Sequence, residues 1–313
     1  MALITHKIVI IGAGHVGTHC AYALLLNGIA QRLVLVDCDH EKAISQALDL
    51  ADGITFCPAK ADVTAGDLSD CADADIVIMA AGVPRMPGQT RLDVMAGTMS
   101  EMNKIAPQIK SSGFSGVFIN ISNPCDIVAD YFAKVLQLPR GRVFGSGTAL
   151  DSSRLRGVLS TLTGYDRRSI NAFAMGEHGD SQMIPFSHVT CAGKPLLELI
   201  SDEPKRFGHI SLEQVLQRTR TLGMEIIEGK GATEFGIGAA VSDIVRAVLY
   251  DEKRILPVSA RLEGEFGQSG LHVGVPAVVG KNGVEEVVLL KLTQTEQAQF
   301  ALSCAVIKSH LAN

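Results

Sequence analysis

The first half of the chain alternates short apolar runs with longer stretches of helical spacing. Lys7–Ile11 and Arg32–Val36 are aliphatic runs, and residues 75–82 and 116–124 repeat the pattern of an apolar strand that continues into small or polar residues. Helical stretches separate these runs, notably residues 96–111. Continuous apolar runs are typical of buried parallel strands. Their alternation with helices predicts an α/β fold, with a doubly wound parallel sheet and right-handed crossovers.

The second half of the chain has the mixed pattern of an α+β domain. Residues 211–228 and 293–311 have the apolar spacing of helices, and we expect a hairpin strand pair at 271–280 with turns at glycine and proline. A length of 313 residues predicts about two domains, and no internal repeat or low-complexity linker is present. We therefore place a first domain at residues 1–145 and a second, substrate-binding domain at residues 146–313.

A glycine-rich turn follows the first apolar run directly. Residues 12–17 read GAGHVG and match the GxGxxG pattern that joins a strand to a helix in dinucleotide-binding folds. Gly12 would permit the tight turn, Gly14 would let a pyrophosphate approach the backbone, and Gly17 would let the helix pack closely on the strand. The phosphates would then lie at the helix N-terminus, where N–H groups and the helix dipole favour anions. Val16 belongs to the same turn, and we assign it with the glycines to cofactor binding.

An acidic residue and two later strand ends complete the expected nucleotide site. Asp37 ends the second apolar run, twenty residues beyond Gly17, where a carboxylate can accept hydrogen bonds from both ribose hydroxyls and would repel a 2′-phosphate. The pattern therefore favours NAD over NADP as the cofactor, and the simpler alternative is a solvated carboxylate at a strand end. Gly82 and Asn123 follow later strands at the carboxyl edge, where such sheets bind ligands, and we expect both to contact the cofactor.

One histidine in the second half is well suited to exchange a proton with a substrate. His178 lies in the sequence GEHGD, and an imidazole can take a proton from an alcohol and return it in the reverse reaction. The alternative is a surface turn with an incidental histidine. Asp151 and Arg154 share one face of a helix, and taken alone they would form a surface ion pair worth roughly a few tenths of a kcal/mol. Arg85 and Arg91 lie in a loop punctuated by glycine and proline, beyond the sheet edge.

The composition excludes several classes of protein. Hydrophobic residues make up 47% of the chain, charged residues make up 19%, and the net charge is −5, which is typical of a soluble globular protein without a basic patch for nucleic acid. No run approaches the roughly 18 apolar residues of a membrane span. The seven cysteines are scattered without a CxxC pair, which indicates neither a disulfide framework nor a metal site. We therefore expect a cytoplasmic protein that binds no metal, membrane or nucleic acid.

Taken together, these motifs resemble those of the lactate/malate dehydrogenase family over nearly the whole chain. GAGHVG with Asp37, the arginine loop, ISNP at 121–124, LDSSR at 150–154 and GEHGD occur in the order and at the spacing of that family. The resemblance implies a Rossmann NAD-binding domain and reversible hydride transfer between NADH and a small 2-oxo acid. It also implies a homodimer or homotetramer.

The resemblance implies a role for each candidate residue. His178 would accept the proton, and Asp151 would orient the imidazole and stabilise its charged form. Arg154 would hold the substrate carboxylate, while Arg91 would polarise the reacting carbonyl from a closing loop and Asn123 would bond to the same oxygen. The residues expected to contact the substrate are Arg85, Arg91, Asn123, Arg154 and Thr233.

The expected substrate depends on Arg85. This residue lies six positions before Arg91, where the lactate enzymes of the family often carry glutamine and the malate enzymes carry arginine. A second arginine in a closed pocket would leave an uncompensated charge over pyruvate, whereas oxaloacetate supplies a carboxylate. We therefore expect oxaloacetate and L-malate to be favoured, with L-lactate dehydrogenase as the alternative. Glu177 and Thr233 look like lactate-enzyme features, although some malate enzymes share them.

Two further classes of protein stay open at this point. One is a nucleotide-binding regulatory protein that has lost its chemistry. The presence of the full set of candidate residues argues against it, namely Arg91, Asp151, Arg154 and His178. The other is an NAD-using glycosidase, which would need a metal ion. The histidine and cysteine spacing of the chain indicates no site for that metal.

Overall fold

The computed structural model describes residues 5–83 and 91–311. The chain forms two compact units, each assembled from three segments. The first unit comprises Met1–Ser146, Glu234–Arg254 and Val279–Glu285, and the second comprises Gly147–Thr233, Ile255–Val278 and Glu286–Asn313. Both units are therefore discontinuous in sequence, whereas the predicted division into 1–145 and 146–313 is continuous. That division stays a prediction.

The strands are short in the first part of the chain and longer near its end. Their bounds are β1 Lys7–Ile11, β2 Arg32–Val36, β3 Asp62–Ala65, β4 Ile76–Met79, β5 Val117–Asn120, β6 Val143–Gly145, β7 Ile170–Asn171, β8 Thr190–Cys191, β9 Lys194–Pro195, β10 Arg254–Glu263, β11 Ser269–Gly280 and β12 Gly283–Val287. The helices are α1 His15–Leu26, α2 His40–Gly53, α3 Arg91–Ser111, α4 Cys125–Leu136, α5 Ala149–Thr163, α6 Leu196–Asp202, α7 Pro204–Phe207, α8 Leu212–Lys230, α9 Phe235–Leu249 and α10 Gln294–Leu311.

A parallel sheet forms the centre of the first unit. Strands β1 to β6 are paired in the spatial order β3-β2-β1-β4-β5-β6, and every pair among them is parallel. The order reverses between β1 and β4, so the sheet is doubly wound and has its switch point beside the glycine-rich turn. The predicted α/β class is confirmed.

The strands of this sheet are apolar at successive positions because both of their faces are covered. Every residue of β1, β4 and β5 is buried. Phe118 of β5 and Phe132 of α4 stack with their ring centroids 4.4 Å apart. A period-two pattern is absent from such strands, since it requires one face to meet water. This burial explains why the uninterrupted apolar runs located these strands correctly.

The second unit is built from helices and antiparallel strands, as predicted. Strands β7, β8 and β9 form a small antiparallel sheet. Helix α5 packs against α8. The predicted C-terminal helix begins at a reciprocal cap, in which Glu296 N–H donates to Thr293 Oγ1 (3.3 Å) and Thr293 N–H donates to Glu296 Oε2 (2.9 Å).

The predicted hairpin at 271–280 is wrong, because these residues belong to one strand, β11. Gly274 is a point of close approach and not a turn: it exchanges two backbone hydrogen bonds with Gly176, both 2.9 Å, and a Cβ there would lie 2.6 Å from Thr148 Cγ2. Pro276 stays within the strand, and its carbonyl accepts from Val288 N–H (2.9 Å). A glycine often interrupts a strand, but at Gly274 the close approach of Thr148 and Gly176 leaves no room for a side chain.

Among the helices of the described residues, none has both the length and the apolar character needed to cross a membrane.

Candidate active site

The turn between β1 and α1 depends on two glycines that pack against each other. Gly12 has a φ of +106°, and a Cβ there would lie 2.5 Å from Ala81 N. A Cβ on Gly17 would overlap the Gly12 carbonyl oxygen. Within 4 Å of a Cβ on Gly14, by contrast, the described residues contribute only Lys42 Nζ, at 3.9 Å. The protein interior therefore requires Gly12 and Gly17, whereas Gly14 leaves an open cradle at the start of α1, which suits a bound pyrophosphate.

Asp37 follows β2 and is held against this turn. Its Oδ2 accepts from Ala13 N–H (2.7 Å) and its Oδ1 accepts from Asp39 N–H (3.0 Å), while Lys42 Nζ lies 3.7 Å away. Burial opposes ionisation of this carboxyl, but the two backbone donors and Lys42 outweigh it and lower the pKa of Asp37. The side chain is therefore a carboxylate at neutral pH. A fixed anion beside the glycine turn fits the ribose hydroxyls of NAD.

The loop after β5 carries Asn123, and a buried residue holds this loop in place. Asn120 Nδ2 donates to the carbonyls of Ser122 (3.0 Å) and Cys125 (2.9 Å), and its Oδ1 accepts from Ser122 N–H (3.1 Å). Asn123 itself is exposed. Gly82 lies at the same edge of the sheet, three residues beyond the end of β4. Sequence reasoning missed Asn120, although an amide at the end of a buried apolar strand was a usable signal.

In the second unit, a buried carboxylate joins the candidate base to the candidate carboxylate-binding residue. Asp151 Oδ2 lies 2.6 Å from His178 Nδ1, and Arg154 Nη1 donates to Asp151 Oδ1 at 3.0 Å. Asp151 is 2% exposed. Burial opposes its ionisation, but the charges and hydrogen bonds of His178 and Arg154 outweigh that effect and lower the pKa of Asp151. This carboxylate can fix the imidazole tautomer and stabilise the imidazolium, as in a Ser-His-Asp triad.

Two hydroxyl groups bring α5 and the residues before His178 together. Thr148 Oγ1 donates to the Ala174 carbonyl (2.7 Å), and Ala174 N–H donates to Ser152 Oγ (2.9 Å). Both hydroxyl side chains are fully buried. They flank Asp151 in the sequence, so the same turn of helix that presents the carboxylate also binds the chain leading to the histidine. We missed both residues at the sequence level, since their partners are more than twenty positions away.

The Arg154 guanidinium lies against a glycine on the neighbouring helix. A Cβ on Gly223 of α8 would be 3.2 Å from both terminal nitrogens of Arg154. The Arg154 side chain is 13% exposed. The planar group therefore rests against helix backbone with one nitrogen on Asp151, and this arrangement restricts its rotation. Gly223 was not predicted, because a glycine inside a helix carries no signal of its partner.

Three further residues were predicted to contact the substrate, and the structure says less about them. Arg85 falls outside the described residues. Arg91 is the first residue of α3, but its side chain is likewise outside the described part of the chain. Thr233 is half-buried, three residues beyond the end of α8. Within residues 5–83 and 91–311, no group of three or more histidine, cysteine or acidic side chains could hold a metal ion.

Two family models together match almost the whole chain. The lactate/malate dehydrogenase NAD-binding domain matches residues 6–145, and the lactate/malate dehydrogenase alpha/beta C-terminal domain matches residues 148–313. The chain belongs to the lactate/malate dehydrogenase family. As a member of this family it is an NAD-dependent oxidoreductase that acts on the CH–OH group of a small 2-hydroxy acid. The two other classes, a regulatory protein without chemistry and a glycosidase, are therefore excluded.

Individual members of the family show the same similarity over full length. L-lactate dehydrogenase 3 of Bacillus cereus is 43% identical, with 98% of this chain and 97% of that protein covered. The ligand-bound crystal structure of a minor L-lactate dehydrogenase from Enterococcus mundtii is 40% identical, with a TM-score of 0.95 and 98% of each chain covered. A malate dehydrogenase structure from Cryptosporidium parvum is 29% identical, with a TM-score of 0.92, and the match covers 99% of this chain and 98% of that one.

The expected preference for oxaloacetate and L-malate is wrong. The relatives at 40–43% identity are named L-lactate dehydrogenases, whereas the malate dehydrogenase is more distant at 29%. The expectation depended on Arg85 alone. An arginine six positions before Arg91 contributes a charge to the substrate pocket only if the loop directs its side chain there, and sequence position does not determine that direction. The lactate alternative is the interpretation that these relatives support.

Proposed function

We propose that this protein is an NAD-dependent L-lactate dehydrogenase, which interconverts pyruvate and L-lactate. The observation that carries the proposal is the buried Asp151 carboxylate, which contacts His178 through one oxygen and Arg154 through the other. This arrangement combines a proton-exchanging group with a binding group for one substrate carboxylate. Pyruvate and L-lactate each have one carboxylate, and the relatives at 40–43% identity described above are named L-lactate dehydrogenases.

In this proposal His178 is the general base in lactate oxidation and the general acid in pyruvate reduction. Nδ1 faces Asp151, so Nε2 is the nitrogen that takes the hydroxyl proton of L-lactate. The bound NAD supplies the hydride chemistry at the substrate carbon. Asp151 stays ionised and stabilises the imidazolium while the proton resides on the ring. In the direction of pyruvate reduction the imidazolium returns that proton to the developing alkoxide.

The remaining substrate residues follow the family resemblance. Arg154 would bind the carboxylate through the planar fork of its guanidinium, whose geometry matches two carboxylate oxygens. Arg91 and Asn123 would donate to the reacting oxygen and stabilise the charge that develops there. Thr233 would contact the rest of the substrate. The proposed cofactor-binding residues are Gly12, Gly14, Val16, Gly17, Asp37, Gly82 and Asn123.

A comparison of three 2-oxo acids tests the proposed substrate directly. We expect kcat/KM for NADH-dependent reduction to be highest with pyruvate, lower with oxaloacetate and lower again with a branched 2-oxo acid. The measurement is the initial rate of NADH oxidation at saturating cofactor. A higher kcat/KM for oxaloacetate than for pyruvate would overturn the proposed substrate and leave the oxidoreductase class intact.

Replacing Asp37 tests cofactor selectivity. We expect the parent enzyme to strongly prefer NADH to NADPH, because the fixed Asp37 carboxylate would lie against a 2′-phosphate. Asp37→Ser removes that charge and should narrow the preference by roughly tenfold or more, a change of about 1.4 kcal/mol in relative binding. The check is the ratio of kcat/KM for the two cofactors. Asp49→Ser is the matched control, since it removes an exposed carboxylate from α2 and should leave the ratio unchanged. An unchanged ratio in Asp37→Ser would show that Asp37 does not select the cofactor.

We also propose a cytoplasmic location, a homodimeric or homotetrameric assembly, and a functional division into an NAD-binding domain at 1–145 and a substrate domain at 146–313. The seven cysteines are reduced thiols, which suits a reducing compartment. The assembly follows from the family resemblance.

Cell fractionation tests the proposed location, and light scattering after size-exclusion chromatography tests the proposed assembly. Separate expression of the two segments tests the proposed division.

A further inference from the structure

A closed ring of hydrogen bonds ties the last helix of the second unit to the loop that carries His178. Glu177 N–H donates to Ser303 Oγ (2.8 Å), Ser303 Oγ lies 2.9 Å from Ser181 Oγ, and Ser181 Oγ donates to Glu177 Oε2 (2.5 Å). A carboxylate can only accept, so Ser181 gives its proton to Glu177 and Ser303 gives its proton to Ser181. Each bond of the ring therefore has a defined direction.

Ser303 also fixes the residue that precedes Glu177. Gly176 has a φ of +95°, and a Cβ there would overlap Ser303 Oγ. The same glycine exchanges its two backbone hydrogen bonds with Gly274 of β11. The backbone at this point thus lies in contact with both β11 and α10, with no room for a side chain. Ser303 itself is fully buried on α10.

The position of this ring in the sequence links it to catalysis. His178 follows Glu177 directly, and its imidazole lies 2.6 Å from Asp151. Thr148 and Ser152 hold the Asp151 helix against Ala174, four residues before His178, and Ser303 binds the same segment closer to the histidine. The position of the His178 imidazole relative to Asp151 depends on the conformation of the loop backbone around Glu177. Removing the Ser303 oxygen would remove the hydrogen bond to Glu177 N–H, and the loss of a part-buried hydrogen bond favours local rearrangement.

We propose that Ser303 is a positioning residue for the reaction, which holds the His178 imidazole against Asp151 by binding Glu177 N–H. The inference rests on the proposed function, because that function makes His178 the proton-exchanging group. Ser303 touches neither substrate nor cofactor in this proposal. It acts through the backbone of the loop.

The variant Ser303→Ala tests the proposal in the full-length enzyme. We expect the single-turnover rate of hydride transfer to fall by at least about fivefold, because small displacements of a reacting group cost large factors in rate. NADH affinity and the KM for the 2-oxo acid should stay within about twofold, since this proposal gives Ser303 no contact with either ligand. The deuterium isotope effect with 4-deuterated NADH should rise or stay maximal, because the chemical step becomes slower relative to the other steps.

A spectroscopic readout separates positioning from a loss of fold. The proton on His178 Nδ1, shared with Asp151, should give a low-field ¹H NMR resonance that is absent in His178→Gln. In Ser303→Ala this resonance should shift or broaden. Ile307→Val is the matched control: this buried residue lies one turn further along α10, and its replacement removes a methylene but no hydrogen-bonding group. It should lower Tm while leaving both the rate and the resonance unchanged.

Ser181→Ala is a second variant for the case in which Ser303→Ala does not fold. It removes the hydroxyl that receives the Ser303 proton, at a half-buried position, so Ser303 Oγ can turn away from Glu177 N–H. We expect the rate of hydride transfer to fall by more than about twofold and the resonance to shift. Rates are measured with whichever 2-oxo acid the parent reduces fastest, so a wrong substrate assignment leaves this test valid. An unchanged resonance with a hydride-transfer rate within twofold of the parent in Ser303→Ala overturns the role of Ser303, and where that variant does not fold, the same result in Ser181→Ala overturns it. So does an equal loss of rate in Ile307→Val.

Discussion

His178→Gln should lower kcat for pyruvate reduction by roughly 10²- to 10⁴-fold, the usual contribution of one general acid–base group. Glutamine keeps a hydrogen-bonding side chain near Asp151 but cannot carry a proton through the reaction. NADH should still bind, because the glycine turn and Asp37 belong to the other unit. Stopped-flow absorbance and fluorescence titration with NADH measure the two quantities separately.

His188→Gln is the matched control for this variant. His188 is a histidine of the same unit whose Nε2 lies 3.0 Å from the Lys291 carbonyl, and we expect its replacement to leave kcat within about twofold, as for a surface substitution away from any site. Activity of His178→Gln within a few-fold of the parent would mean that another group exchanges the proton.

The pH dependence of the parent enzyme should have opposite signs in the two directions. Pyruvate reduction consumes a proton, so its rate should fall as pH rises and the imidazolium is lost, whereas lactate oxidation should become faster. Ionisation of Asp151 should not change either reaction rate near neutral pH. Although burial opposes its ionisation, His178 and Arg154 lower the pKa of Asp151, so it is ionised well below pH 7. The stability that this lowered pKa contributes is present at neutral pH and is lost as pH falls through the folded-state pKa.

Arg154→Gln should lower kcat/KM for pyruvate by about two to three and a half decades. The variant leaves the substrate carboxylate without its cation, and breaking such a pair typically costs about 3–5 kcal/mol. Arg154→Lys should recover only part of this loss, because an ammonium lacks the planar fork that matches a carboxylate. The measurement is kcat/KM for pyruvate together with NADH affinity, which should be unchanged.

The Arg154 variants also remove a partner of the buried Asp151, so folding needs its own control. Arg168→Gln removes an arginine of the same unit whose side chain is 91% exposed, and we expect its kcat/KM to equal that of the parent. The Tm of each variant shows whether a loss of rate follows a loss of structure. If folded Arg154→Gln kept kcat/KM within threefold of the parent, the carboxylate would be bound elsewhere.

The strand pattern and the glycine turn could be predicted from the sequence because both depend on neighbouring residues. β1, β4 and β5 are buried on both faces, so each reads as an uninterrupted apolar run. The spacing of Gly12 and Gly17 follows from one turn of helix packing back on its own strand. The i,i+3 contact between Asp151 and Arg154 was expected for the same reason, since helical periodicity brings them to one face.

Contacts between distant positions were decided only by the tertiary structure. Asp151 and His178 are 27 residues apart and meet in a hydrogen bond, while Thr148 and Ser152 on the Asp151 helix bind Ala174 of the histidine segment. The sequence motifs could suggest the pair only through family resemblance. Gly223 and Ser303 carried no signal at all, because their importance lies in the side chain or backbone that packs against them.

The sequence by itself determined the fold class and the NAD-type glycine turn, and it predicted the chemistry proposed for His178, because periodicity and short motifs report local backbone and burial. The sequence did not determine which residues pack against each buried face of a helix or strand. Gly274 is an example. The residue type predicts a turn there, but in the structure the absence of a Cβ lets Thr148 and the backbone of Gly176 pack against the strand. Periodicity shows that a face is covered, and only the packed structure decides which residues cover it.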